Sequence, residues 1–104
     1  MKTEAKIKEL IEKNRIIIFM KGEKNFPQCG FSMQAIEILN LLDADYQSYN
    51  ILKDEQLRQD LKLYSNWPTY PQLYIEKELI GGIDIMKEML AAGELEELIH
   101  SNGS

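Results

Sequence analysis

The run Arg15-Ile16-Ile17-Ile18-Phe19-Met20 limits the fold more than any other part of the chain. A strand with one wet face alternates apolar and polar residues. After Arg15 this run is apolar without alternation and led by three β-branched isoleucines, the pattern of a strand covered on both faces. Covering a strand twice requires a sheet with helices on either side.

The flanking segments supply those covers. Thr3 to Lys13 sets Ala5, Ile7, Leu10 and Ile11 in an apolar stripe, with Asn14 as a stop, and Cys29 to Leu42 sets Ala35, Ile36, Leu39 and Leu42 on one side of a second helix. Lys21 to Gln28 reads as a polar loop. Tyr46 to Ile51 reads as a second strand, and Asp54 as the N-cap of a helix through about Tyr64. Gln72 to Glu76 and Glu78 to Ile80 form a hairpin around Lys77, closed by Gly81-Gly82. Asp84 is expected to cap a helix through about Ala92, Gly93 to break it, and Glu94 to His100 to add a last short helix. A strand–helix–strand unit implies a parallel pair, and the hairpin adds antiparallel strands. The expected architecture is an α/β domain over residues 1–104, a mixed four-stranded sheet with helices on both faces.

Charge and cysteine usage narrow the function. A net charge of −5 argues against nucleic acid as a partner. No apolar run approaches the ~18 residues of a membrane helix, and the N-terminus lacks a signal-peptide core, so a soluble, cytoplasmic chain is expected. One cysteine cannot form an internal disulfide. Residues 1–24 hold seven basic and four acidic side chains, which leaves positive charge just upstream of Cys29.

Cys29 lies where a buried strand and a polar loop meet a helix. A thiol there faces the first free N–H groups and the positive end of the helix dipole, which favours thiolate, and Lys21 is the obvious cation. Its neighbours Pro27, Gln28, Gly30 and Ser32 do not make a core, which sets it apart from a buried structural cysteine. In Trp67-Pro68-Thr69-Tyr70-Pro71 the Tyr-Pro bond is a candidate cis peptide, and Gly81-Gly82-Ile83-Asp84 offers a surface for an ammonium group. Elsewhere His100 reads as an exposed side chain, Met20, Met33, Met86 and Met89 as core filling, and Trp67 as packing at the site's edge.

The segment from Lys21 through Cys29-Gly30-Phe31-Ser32, with Trp67-Pro68-Thr69-Tyr70-Pro71-Gln72 and Gly81-Gly82-Ile83-Asp84, resembles the three motifs of the monothiol glutaredoxins, in order and spacing. The likeness is to the short bacterial type and covers nearly the whole chain. It implies a thioredoxin-like fold with Pro71 cis, and bound glutathione. By the same likeness Lys21 and Arg58 meet the glycine carboxylate of glutathione. The Thr69-Tyr70-Pro71 segment pairs with its cysteinyl part through the Tyr70 backbone, and Ile83 and Asp84 receive its γ-glutamyl end. Where members of the family often carry a second cysteine just before the aspartate, this chain has Ile83.

Two functions follow as expectations. One is an iron–sulfur carrier: a 2Fe–2S cluster takes about four ligands, which two Cys29 thiolates and two glutathiones supply in a homodimer. A BolA-like heterodimer is the other implied form, and apo iron–sulfur proteins are the recipients. The alternative is a glutathione-dependent oxidoreductase that releases glutathione from protein mixed disulfides through Cys29 alone. Ser32 cannot serve as a second thiol in that chemistry. Phe31 either stands exposed beside the thiol, where it would shield a bound cluster, or packs inward.

Overall fold

The computed structural model describes residues 2–101. Helix α1 (Lys2–Lys13) leads into β1 (Ile16–Met20). A small hairpin of β2 (Gly22–Glu23) and β3 (Phe26–Pro27) precedes α2 (Gly30–Leu41). Then come β4 (Gln47–Asn50), a 3-10 turn (Ile51–Lys53), α3 (Glu55–Ser65), β5 (Gln72–Ile75), β6 (Glu78–Gly81), α4 (Ile83–Ala92) and α5 (Glu94–His100).

All five residues of β1 are buried, as its lack of alternation requires. The main sheet runs β4-β1-β5-β6. β1 is parallel to β4, with Met20 opposite Asn50, and antiparallel to β5, with Phe19 opposite Gln72. The two faces of β1 divide the core. Ile16, Ile18 and Met20 pack with Ala35 and Leu39 of α2, Met86 of α4, and Leu95 and Ile99 of α5. Ile17 and Phe19 pack with Ile7 and Ile11 of α1, Leu57 and Leu61 of α3, and Tyr74. The mixed four-stranded sheet with helices on both faces is therefore observed. No helix among the described residues is long and apolar enough to cross a membrane.

Local chemistry explains the boundaries. The Asp54 carboxylate accepts the Leu57 N–H at 3.2 Å and starts α3, as expected of a cap. Gly93 ends α4 at φ 79°, in the left-handed region glycine enters freely. β4 stops at Asn50 because its side-chain oxygen accepts the Leu52 N–H at 3.0 Å and turns the chain into the 3-10 segment.

Three expectations need correction, and one that holds, for His100, gains a contact. Asp84 does not cap α4: the N-cap is Gly82, and Asp84 sits in the first turn, where the helix dipole favours an acid. Met33 is 48% exposed, because it precedes Ala35 by two residues and so falls on the face opposite the core stripe. The 21–28 segment is not plain loop but holds the β2–β3 hairpin. His100 is exposed, yet its Nε2 lies 2.6 Å from the Leu42 carbonyl and ties α5 to the end of α2.

Candidate functional site

Cys29 is the N-cap of α2, with extended backbone (φ −153°, ψ 138°), and is half-buried. Its carbonyl accepts the Met33 N–H at 2.9 Å, the first bond of the helix. The thiol is held below the usual cysteine range. Burial pushes the other way, but the N–H groups of Ser32 and Phe31, the Ser32 hydroxyl and the Lys21 charge together outweigh it. No side-chain capping bond of normal geometry forms at Cys29, so these N–H groups act as converging dipoles. Lys21 contributes less than the helix start does.

The segment before Cys29 is pinned from several sides. The Gln28 N–H donates to the Lys21 carbonyl at 2.9 Å and closes the base of the hairpin. The Lys21 N–H donates to the fully buried Ser32 hydroxyl oxygen at 3.1 Å. Ser32 thus supports the helix start, as its residue type suggests. Gly22 has φ 101°, and a Cβ there would lie 2.6 Å from Gln28 N and 2.7 Å from the Phe26 carbonyl. Only glycine fits that close approach.

A cleft of about 220 Å³ is lined by Phe31, two residues past Cys29, and by Trp67, Thr69, Tyr70, Pro71, Gly82, Ile83, Asp84 and Ile85. Five of the residues singled out from the motifs therefore come together: Thr69, Tyr70, Pro71, Ile83 and Asp84. The Tyr70–Pro71 peptide is cis. Phe31 is 57% exposed and reaches the cleft from α2, so of the two expectations for it the outward one holds. Trp67 lines the cleft, and its indole Nε1 is buried without a partner. A Cβ on Gly82 would come within 3.4 Å of it, so the two motifs touch here. Another hollow of similar size, between α1 and α3 at Glu4, Ile7, Asp60, Leu63 and Tyr64, contains no residue of the three motifs.

Lys21 and Arg58 do not line the cleft itself. Arg58 sits behind it: its carbonyl accepts the Tyr70 hydroxyl at 2.8 Å, and its Nη1 lies 3.5 Å from Glu55. Burial pushes the Tyr70 hydroxyl pKa up, which keeps it a neutral donor in this bond.

Sequence reasoning missed Gln72. Its buried amide donates to the carbonyls of Trp67 at 3.0 Å and Thr69 at 3.3 Å, fixing the loop ahead of Pro71. The available signal was a polar residue leading into the apolar Leu73-Tyr74-Ile75, since a buried amide must find partners.

Among the described residues no group of three or more His, Cys, Asp or Glu could hold a metal ion. The chain offers one half-buried thiol at a helix start, held below the usual cysteine range. That fits one ligand of a shared metal site and does not make a complete one.

Comparison with known proteins bears on this arrangement. A family model described as Glutaredoxin matches residues 16–80. A protein of Porphyra purpurea described as an uncharacterized monothiol glutaredoxin ycf64 is 48% identical over 101 residues, covering 97% of this chain and 94% of its own length. Glutaredoxin 3 of Danio rerio is 53% identical over 92 residues, which are 88% of this chain but only 28% of that protein. Among solved structures, reduced poplar apo GrxS14 superposes with a TM-score of 0.79 at 49% identity, covering 90% of this chain and 86% of that one. A buckwheat glutaredoxin–glutathione complex superposes with a TM-score of 0.87 over 98% of this chain and 91% of its own, at 22% identity, a likeness of fold.

Proposed function

Because this chain belongs to the glutaredoxin family and carries the single-cysteine site of its monothiol members, we propose that it binds glutathione and carries a 2Fe–2S cluster to apo-proteins. The observation behind this reading is a count. Two irons and two sulfides need about four ligands, and the chain has one cysteine. Two Cys29 thiolates in a homodimer and two glutathione thiolates complete the set. Glutathione is free to exchange, so a cluster held in this way is easily passed on. A heterodimer with a BolA-like protein is the other arrangement that completes the ligand count.

The reading for glutathione rests on charge. The tripeptide carries two carboxylates and one ammonium, so it needs cations at one end and an anion or helix start at the other. Lys21 and Arg58 are assigned to the glycine carboxylate. The Tyr70 backbone, beside Thr69 and Pro71, is assigned to the cysteinyl part. The start of α4, at Ile83 and Asp84, is assigned to the γ-glutamyl end. The cleft, lined by Thr69, Tyr70, Pro71, Ile83 and Asp84, supports the last two of these assignments, and a glutathione complex in a protein of the same fold supports a tripeptide there.

A second reading is favoured by the lowered thiol. In it the Cys29 thiolate attacks the glutathionyl sulfur of a mixed disulfide and releases the protein thiolate. A second glutathione then frees Cys29 and leaves as glutathione disulfide. Anaerobic reconstitution with iron, sulfide and glutathione separates the two. The carrier reading expects a coloured dimer that fails to form without glutathione and with Cys29→Ser. A monomer without colour, active in deglutathionylation, would leave the oxidoreductase alone.

A further inference from the structure

Asn50 is a buried polar residue outside all three motifs, only 8% exposed at the end of β4. Its side chain holds three groups. Its Oδ1 accepts the Gly22 N–H at 3.0 Å and the Leu52 N–H at 3.0 Å, and its Nδ2 donates to Glu23 Oε2 at 3.0 Å. Lys53 lies 3.2 Å from the same Glu23 oxygen. The next residue of the hairpin, Lys24, is also fastened to this strand edge: its ammonium donates to the Tyr46 carbonyl and sits 4.1 Å from the Tyr46 ring centroid.

The consecutive N–H groups of Lys21 and Gly22 are therefore both taken by side-chain oxygens, from opposite sides. Ser32 on α2 takes the first and Asn50 on β4 takes the second. A two-residue stretch gripped in this way has its direction set, and with it the point from which the Lys21 side chain departs. We infer that Asn50 is a positioning residue for the site, acting through the Gly22 backbone to hold the Lys21 ammonium toward the Cys29 thiol. Apolar packing would not need an amide at this place. An unpaired buried amide is costly, and all of Asn50's hydrogen-bonding groups point at the hairpin or the turn beside it.

This inference rests on the proposed function only in taking Lys21 and Cys29 as a working pair, and its test uses neither glutathione nor cluster. Cys29 is alkylated in parallel with iodoacetate and iodoacetamide. The thiolate displaces iodide from both, so the ratio of the two rates cancels thiolate content and reports positive charge beside the sulfur. Asn50→Ala is expected to lower the iodoacetate preference about threefold, the scale of one exposed charge–charge interaction, and Lys21→Gln to lower it equally. Asn50→Ala added to Lys21→Gln should lower it no further. The double exchange N50D/E23Q keeps the net charge and the three hydrogen bonds at position 50, the one to residue 23 now reversed, while giving up the Lys53 contact to that residue, and should restore the wild-type ratio. If Asn50→Ala is too unstable to isolate, N50D/E23Q against N50D alone carries the comparison. Asn50 is merely structural if the ratio stays at the wild-type value in every folded Asn50 variant while melting temperature falls.

Discussion

The backbone N–H of Lys21 donates to the Ser32 hydroxyl oxygen at 3.1 Å, joining the end of β1 to the first turn of α2. That oxygen is fully buried, and its hydroxyl also favours the Cys29 thiolate.

Ser32→Ala therefore removes two contacts at once. The Lys21 N–H loses its partner, at a cost of about 1–3 kcal/mol for a buried donor. The thiol loses a group that favours its charged form, so its pKa rises and less thiolate is present at neutral pH. Alkylation of Cys29 at pH 7 should slow roughly several-fold, with the pH–rate midpoint moved upward. A profile unchanged from wild type would remove Ser32 from the thiol's environment.

Lys21→Glu puts a negative charge beside the thiol and at the assigned carboxylate site. Glutathione affinity measured by calorimetry should fall by about tenfold or more, since charge-assisted bonds are the strong ones in such a site. The lifetime of a reconstituted cluster should shorten in parallel. An unchanged dissociation constant would assign the glycine carboxylate to other residues.

Gly22→Ala forces a Cβ to within 3 Å of backbone at Gln28, Phe26 and Pro27, at a φ of 101°. Backbone atoms cannot yield as a side-chain tip does, so a loss of about 1–3 kcal/mol is expected in denaturant unfolding. Gly30→Ala is the control, because nothing lies within 4 Å of a Cβ there.

Asp54 gives a pH dependence of stability. A hydrogen bond from Lys6 at 2.7 Å, then one from the Tyr49 hydroxyl, hold its carboxyl below the usual range. A folded pKa below the unfolded one gives stability that is complete above the unfolded value, about 3.9, and lost as pH falls through the folded value. Asp54→Asn keeps a good cap and removes the charge. Its deficit against wild type should be constant from about pH 5 to 8 and close as pH falls below about 3. Asp54→Ala should lose about 1 kcal/mol more at all pH values, through the missing cap.

What the sequence made readable was whatever depends on neighbours along the chain. The unbroken apolar run of β1 showed a strand covered on both sides, and Asp54 and Gly93 marked helix ends through local backbone chemistry. Motif order brought Thr69, Tyr70, Pro71, Ile83 and Asp84 to one cleft. Contacts between distant segments were hidden: Asn50 meets Gly22 across 28 positions, and Ser32 meets Lys21 across the whole hairpin. The β2–β3 hairpin escaped notice because two-residue strands carry no period. Asp84 misled because an acid in a helix's first turn and an acid at its cap look alike in a sequence.

The strand order β4-β1-β5-β6 brings the C-terminal ends of two parallel strands and the N-terminal end of an antiparallel one to the same edge of the sheet. Cys29, Asn50 and Pro71 thus become neighbours of the same edge only when three segments far apart in the chain have zipped together. No isolated fragment carries a working site, and its geometry survives only as long as the sheet does. Loss of ligand recognition on heating should then coincide with global melting, without an earlier local transition.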